Sequence, residues 1–417
     1  MLKRAGLGLV ALALSFCLAF SAGATQVPEP VSVLMPAPFA DATAELVEAF
    51  NRRHPEIQLS VTRGPLDTEA VSDLAISSLL LGNSPYDLLL MDVTWTPKYA
   101  AAGWLEPLEG WLGEDAMDDL APGAELGNAW AGHLWRYPLV ADMGLLYWRT
   151  DLMAAPPRTP AELVAISRQL QASGQVSWGY VWEGKQYEGL SCVLVELLEG
   201  FGGTWLQGDQ PELSTPAALA VARWLRQLVV EGITPPSVAN MAEPEALQLF
   251  EAGGAAFMRN WPYAWAELNR PDAPLRGKVG LATMVSEPGQ PHAATQGSWG
   301  LSLMKDSTHK AAAVEVLRFL SGPEAQTQLH QRWGYTPTRL SVFRDPELLA
   351  ANPVLQDLEQ ALAASALRPI TPVYAQLSDL LYRELNSIIS GSHQAEPGLQ
   401  QLQANTERLL ATTTGAT

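Results

Sequence analysis

Two aspartates stand where chemistry would need them. Asp92 closes the apolar run Tyr86-Asp87-Leu88-Leu89-Leu90-Met91-Asp92, and Asp142 lies between two further apolar runs, Leu134–Val140 and Gly144–Trp148. A carboxylate at the carboxyl end of a buried strand either caps backbone N–H groups or faces a ligand, and the two roles are compatible. As a pair, Asp92 and Asp142 are the residue type that glycoside hydrolysis uses, with two carboxylates roughly 5–9.5 Å apart. The sequence gives them no clustered general-base partners, however. It holds no G-x-S-x-G, no P-loop and no H-E-x-x-H. Gly6-Leu7-Gly8 falls in the N-terminal apolar segment, so it is no dinucleotide loop.

What the chain does offer is tryptophan. There are 14, and Trp95, Trp178, Trp182, Trp261, Trp265 and Trp299 fall at or near loops that follow strands. An indole face stacks on the C–H face of a sugar ring, while carboxylates and arginines hold its hydroxyls. The competing reading is that each tryptophan is core. The densest stretch is Phe257-Met258-Arg259-Asn260-Trp261-Pro262-Tyr263-Ala264-Trp265. Its proline stops a helix from running through it. We therefore expect Trp261 and Tyr263 to face a cleft, and Phe257, Met258 and Trp265 to pack behind it.

Composition narrows the partners. Against 26 basic residues stand 44 acidic ones, a net charge of −18. Nucleic acid and anionic membrane surfaces both need a basic face, so neither is expected. Beyond Cys17 the only cysteine is Cys192, in an apolar run, and the six histidines form no ligand-spaced pair; no metal and no cofactor are expected. Residues 1–24 read as a signal peptide: charged Met1-Leu2-Lys3-Arg4, an apolar run from Ala5 to Phe20, and Ala22-Gly23-Ala24 for cleavage. Retention of the run as a membrane anchor is the alternative.

The elements that must position these residues alternate. Val31–Met35 reads as a strand broken by Pro36-Ala37-Pro38, Ala42–Arg53 as an amphipathic helix, and Ile57–Val61 as a half-buried strand. That order implies a parallel pair with a right-handed crossover. Further strands fall at Tyr86–Asp92, Gly144–Trp148, Ala255–Met258, Lys278–Ala282 and Gly297–Leu303. Helices fall at Thr68–Leu81, Gly189–Glu199, Ala217–Val230, Lys310–Leu320 and Leu377–Ile389, and one over Asp345–Ala366 is interrupted at Pro353. The class is α/β in two lobes.

In that order, several segments resemble solute-binding proteins of ABC sugar importers, of the trehalose/maltose-binding type. They are Leu90-Met91-Asp92-Val93, Ala102-Gly103-Trp104-Leu105-Glu106-Pro107-Leu108, Asp142 with Gly144-Leu145-Leu146-Tyr147, Gly184-Lys185-Gln186-Tyr187-Glu188-Gly189-Leu190, Arg259-Asn260-Trp261-Pro262-Tyr263-Ala264-Trp265, and Arg368-Pro369 followed by Pro372. The resemblance runs over nearly the whole chain after the signal. It implies a type II periplasmic-binding-protein-like fold with three hinge crossings, near Ala141, Ser298 and Ser341, and a ligand in the interlobe cleft. One lobe would comprise 25–141 and 298–341, the other 142–297 and 342–417. It also implies closure on binding, a monomer, a membrane permease as partner, a periplasmic or extracellular address, and no enzymatic activity. The sugar contacts it implies are Asp92, Asp142, Trp261, Trp299 and Arg368, with Tyr187 and Tyr263 as neighbours.

The sequence also departs from that pattern. Phe39, Leu66 and Val71 stand where polar contacts are aligned, and the glycine pair before Trp299 is Gly297-Ser298. The departures favour glucosylglycerol or sucrose over trehalose or maltose, with Asp67 placed to compensate. A secreted glycosidase using Asp92 and Asp142 is one alternative. A binder of glycerol phosphates, relying on Arg63, Arg259 and Arg368, is another.

Overall fold

The computed structural model describes residues 27–82, 84–113 and 115–414. The signal-peptide reading, with Cys17, lies outside them. The strands of the two main sheets begin with β1 (Glu29–Met35), β2 (Ile57–Arg63), β3 (Leu88–Asp92) and β4 (Tyr137–Met143). Next come β5 (Leu145–Arg149), β6 (Trp178–Val181), β7 (Ala255–Asn260), β8 (Val279–Ala282), the ten-residue β9 (Ala294–Leu303) and the short β10 (Ser365–Ala366). The first sheet runs β10–β9–β3–β1–β2, with β4 also paired to β9. The second runs β8–β5–β7–β6.

The β1–β2 pair is parallel, as the strand-helix-strand order requires. All five residues of β3 are buried, which fits its unbroken apolar run between two layers of helices. The chain leaves the first sheet after Met143 and joins the second at Leu145, turning at Gly144, whose N–H donates to the Thr295 carbonyl at 3.0 Å. It returns between Ala282 and Ala294.

Separate cores lie under each sheet. Val33, Leu90, Leu139 and Leu301 belong to the first, and Leu146, Tyr180, Leu194 and Phe257 to the second. Each such buried side chain contributes about 1.5–3 kcal/mol. A further cluster lies where the two meet, with Ala141 and Met143 of β4, Leu145 and Tyr147 of β5, and Val342 and Phe343 packed together. Cys192 is a buried free thiol, and Trp182, one of the loop candidates, is wholly buried core. No helix among the described residues is long and apolar enough to cross a membrane.

Six helices matter below: α1 (Ala37–Arg53), α2 (Thr68–Leu80), α3 (Glu188–Gly200), α4 (Glu243–Glu251), α5 (Tyr263–Leu268) and α6 (Tyr374–Ser390). Two of them correct the expectations. Helix α1 starts at Ala37, five residues before the expected Ala42, because a proline in the first turn lacks only an N–H that has no helical partner anyway. By the same logic Pro262 ends β7 and then seeds α5, so Tyr263 and Trp265 lie on a helix and Trp261 alone bridges strand and helix. The interruption at Pro353 is present, between helices Pro346–Ala351 and Leu355–Ala363.

Candidate functional site

The site is organised by the first half of β9. In its register Gly297 lies opposite Asp142 and Ser298 opposite Ala141 on β4, while Trp299 lies opposite Asp92 on β3. Two aspartates fifty residues apart thus reach one strand, two positions from each other.

Asp92 does both things open to it. It caps the single turn Val93–Trp95, its Oδ1 accepting from the Thr94 N–H at 2.9 Å and the Thr94 hydroxyl at 2.7 Å. Its two oxygens also receive Nη2 of Arg368, at 3.0 and 3.1 Å. The same Nη2 reaches the Gln296 carbonyl at 3.3 Å, and Nη1 donates to Glu188 Oε1 at 2.6 Å. Glu188 opens α3 and is held in turn by the hydroxyls of Tyr374 and Ser378 on α6. Arg368 therefore ties the first sheet to the helices of the second lobe.

Beneath this pair lies Arg136, wholly buried. It donates to the Met91 carbonyl at 3.2 Å and to Asn128 and Ser298. Burial pulls its guanidinium down to about 9, with Asp92 opposing the shift and Arg368 adding to it.

Asp142 accepts the Thr336 N–H at 2.9 Å, and burial pushes its carboxyl up to about 7. Trp299 is half-buried. Trp95 meets it edge-on at 5.5 Å between ring centroids, and Phe39 is tilted against it at 5.2 Å. Phe39 thus completes an aromatic wall, and Val71 is plain core. Trp261 is half-buried, with the Arg259 guanidinium 4.1 Å from its ring centroid and its Nε1–H on Glu243 Oε1 at 3.0 Å.

Tyr263, on the first turn of α5, is half-buried, and burial together with Glu243 and Glu183 raises its hydroxyl. Tyr187 caps α3 through its backbone, and burial together with the nearby Glu243 and Glu183 raises its hydroxyl. Asp67 is exposed and caps α2 through the Ala70 N–H at 2.9 Å. The structure thus brings Asp92, Asp142, Trp261, Trp299 and Arg368 together around Gln296–Trp299. Asp67 stands apart from that set.

A cavity of about 110 Å3 opens between the lobes beside Asp92. Thr68, Glu69 and Ser72 of α2 line it, with Thr94 and Trp95, and they face Glu188, Tyr374, Ser378 and Tyr382 from the other side. Burial pushes Glu69 up to about 7, and the nearby Glu188 adds to the shift. The three arginines that a phosphate binder would need are all neutralised. Arg63 pairs with Asp41, Arg368 with Asp92 and Glu188, and Arg259 with Glu196 and Glu183.

Reading the sequence alone missed Arg136, Glu188 and Glu243. An arginine inside the apolar run Leu134–Val140 was a signal for the first, since a charge there must find buried partners. Glu188 and Glu243 carry no such mark, because helix first turns commonly hold glutamate.

Comparison with known proteins fits this geometry. Residues 36–327 match the family described as bacterial extracellular solute-binding protein. A probable ABC transporter-binding protein of Deinococcus radiodurans is 30% identical over 368 residues, covering 82% of this chain and 84% of that one. The maltotriose-binding protein of Pyrococcus abyssi is 25% identical over 332 residues, covering 78% and 70%. Among solved structures, maltose-bound T. maritima MalE3 superposes with a TM-score of 0.85 at 28% identity, covering 91% of this chain and 99% of that one. The expected two-lobed α/β fold of the type II binding proteins is therefore the observed one. The chain belongs to the bacterial extracellular solute-binding proteins.

Proposed function

We propose that this protein is the exported substrate-binding component of an ABC sugar importer, and that its interlobe cleft takes an α-glucoside or related compatible solute: glucosylglycerol, sucrose, trehalose or maltose. The observation that carries the reading is the convergence of two half-buried indoles, Trp261 and Trp299, with Asp92, Asp142 and Arg368 on one short stretch of β9. Flat apolar faces beside hydrogen-bonding charges suit an uncharged, hydroxyl-rich ring. Tyr187 and Tyr263 flank the contact set. Phe39 in the wall takes the place of a hydrogen-bonding group, which favours the smaller solutes.

In this reading the lobes are 25–141 with 298–341 and 142–297 with 342–417, residues 1–24 are the export signal, and the monomer delivers its ligand to a membrane permease outside the cytoplasm. Both Asp92 oxygens receive Arg368, so this carboxylate stands as the partner of a buried guanidinium. The test is calorimetry of the exported chain against a panel of α-glucosides and polyols, with product analysis of the same mixtures. Saturable binding without hydrolysis is expected. No heat from any member, with the fold intact, overturns the sugar reading, and released glucose moves it to a glycosidase.

A further inference from the structure

The indole of Trp261 is held on several sides. Its backbone N–H donates to Asn260 Oδ1 at 2.8 Å, and its carbonyl accepts the Tyr147 hydroxyl at 2.7 Å. The Arg259 guanidinium covers one face of the ring, so stacking on a ligand is left to the other. Arg259 cannot drift, because its Nε and Nη2 are bound by Glu196 at 2.8 and 2.9 Å in full burial. The six-membered ring rests on Gly297, where an added Cβ would lie 2.8 Å from Cζ3. To these packing contacts the side chain adds a polar bond that fixes the indole edge, Nε1–H to Glu243 Oε1 at 3.0 Å.

Glu243 reaches Trp261 from a different element, the first turn of α4. Its backbone carbonyl also accepts Asn260 Nδ2 at 3.2 Å, so α4 and the end of β7 are joined at two points. A tryptophan that is half-buried and stacks on a ligand needs its orientation set before the ligand arrives, since ordering it on binding would cost affinity.

We infer that Glu243 is the positioning residue that sets the stacking face of Trp261. The inference rests on the sugar-binding reading above. It requires that Glu243 act through the indole N–H and make no contribution once that donor is gone.

A double-mutant cycle tests it. Glu243→Ala should weaken sugar binding by roughly tenfold, the loss of one hydrogen bond to a charged acceptor. Glu243→Gln, which keeps an acceptor oxygen, should recover most of that loss. In a Trp261→Phe background, where no N–H exists, Glu243→Ala should cost nothing more. Additive losses overturn the inference, as does an alanine variant that binds like the wild type. A ligand-free readout accompanies the cycle: the indole 1H–15N resonance of Trp261, assigned by its disappearance in Trp261→Phe. Its exchange with water should speed up in Glu243→Ala and stay slow in Glu243→Gln. An unchanged resonance in the alanine variant also overturns the inference. If the wild type binds no sugar, the proposed function fails, and the indole resonance alone still decides whether Glu243 holds the ring.

Discussion

Arg368 and Asp92 form a buried ion pair, with Nη2 of the arginine 3.0 and 3.1 Å from the two carboxylate oxygens and the side chains 2% and 7% exposed. The two residues lie 276 positions apart, and the other arm of the same guanidinium holds Glu188. One cation therefore neutralises carboxylates from both lobes.

Truncating that cation should be costly. Arg368→Ala leaves Asp92 and Glu188 without their shared partner, and breaking a buried pair in this way costs roughly 3–5 kcal/mol. Lysine offers one ammonium in place of a planar fork, so it cannot reproduce both contacts. Denaturant unfolding should show a large fall in midpoint for Arg368→Ala and a smaller but clear one for Arg368→Lys. A midpoint within about 0.5 kcal/mol of wild type for the alanine variant, the size of an ordinary surface change, would contradict the bridging role.

Stacking should outweigh the Asp92 contact in affinity. Trp261 is half-buried with Arg259 over one face of its ring, whereas Asp92 is already engaged by Arg368 and Thr94. Trp261→Ala is expected to weaken binding by roughly 10- to 100-fold, combining lost area with the stacking term. Asp92→Ala should cost less affinity but more stability. Calorimetric titration ranks the first quantity and thermal unfolding the second. The opposite order in the titration would mean that hydrogen bonding, not stacking, dominates the site.

How much of this was legible in the sequence follows from the range of the interactions. Local patterning announced β3, the Pro353 interruption and the αβ alternation, because periodicity and proline act within a few residues. Asp92 and Asp142 could be named as end-of-strand carboxylates, but not that β9 brings them two positions apart, since strand pairing between segments so distant in the chain leaves no local trace. Arg368 could be named only through the resemblance. That its charge is spent on Asp92 and Glu188 is a property of packing. Glu243 was invisible, since nothing in Glu243-Pro244-Glu245 separates an indole acceptor from a helix first turn.

Asp142 should make stability fall as pH rises. Burial raises its carboxyl from 3.8 to about 7. From about pH 4 to 7 the unfolded chain has lost this proton and the folded chain keeps it, so the contribution present at low pH is lost as pH rises through the folded value. Asp142→Asn keeps an acceptor for the Thr336 N–H and removes the titration. The variant should gain on the wild type across that window and level off above about pH 7, by on the order of 2–4 kcal/mol. Thermal unfolding at pH 4.5, 6 and 8 reads the difference. A pH-independent gap would show that Asp142 is not the titrating group.

Glu69 should make ligand binding take up a proton. Around its carboxyl stand Asp67, which caps its helix, and Asp73 within it, with Asp92 from β3, Lys98, Glu188 of α3, and Tyr374 and Tyr382 of α6. Burial and Glu188 hold it near 7 while the lobes are together. Parting the lobes removes both causes and returns it toward the ordinary glutamate range of about 4.3. A ligand that closes the cleft then favours the protonated form. Affinity should be highest below about pH 4, fall as pH rises from about 4 to 7, and flatten above it. Glu69→Gln, which is neutral throughout, should flatten the whole profile while keeping the side chain's volume. Calorimetry in two buffers of different ionisation enthalpy reads the proton directly. Equal heats in both buffers at pH 6 would mean that closure does not change the charge state of Glu69, and that Glu188 is balanced by Arg368 alone.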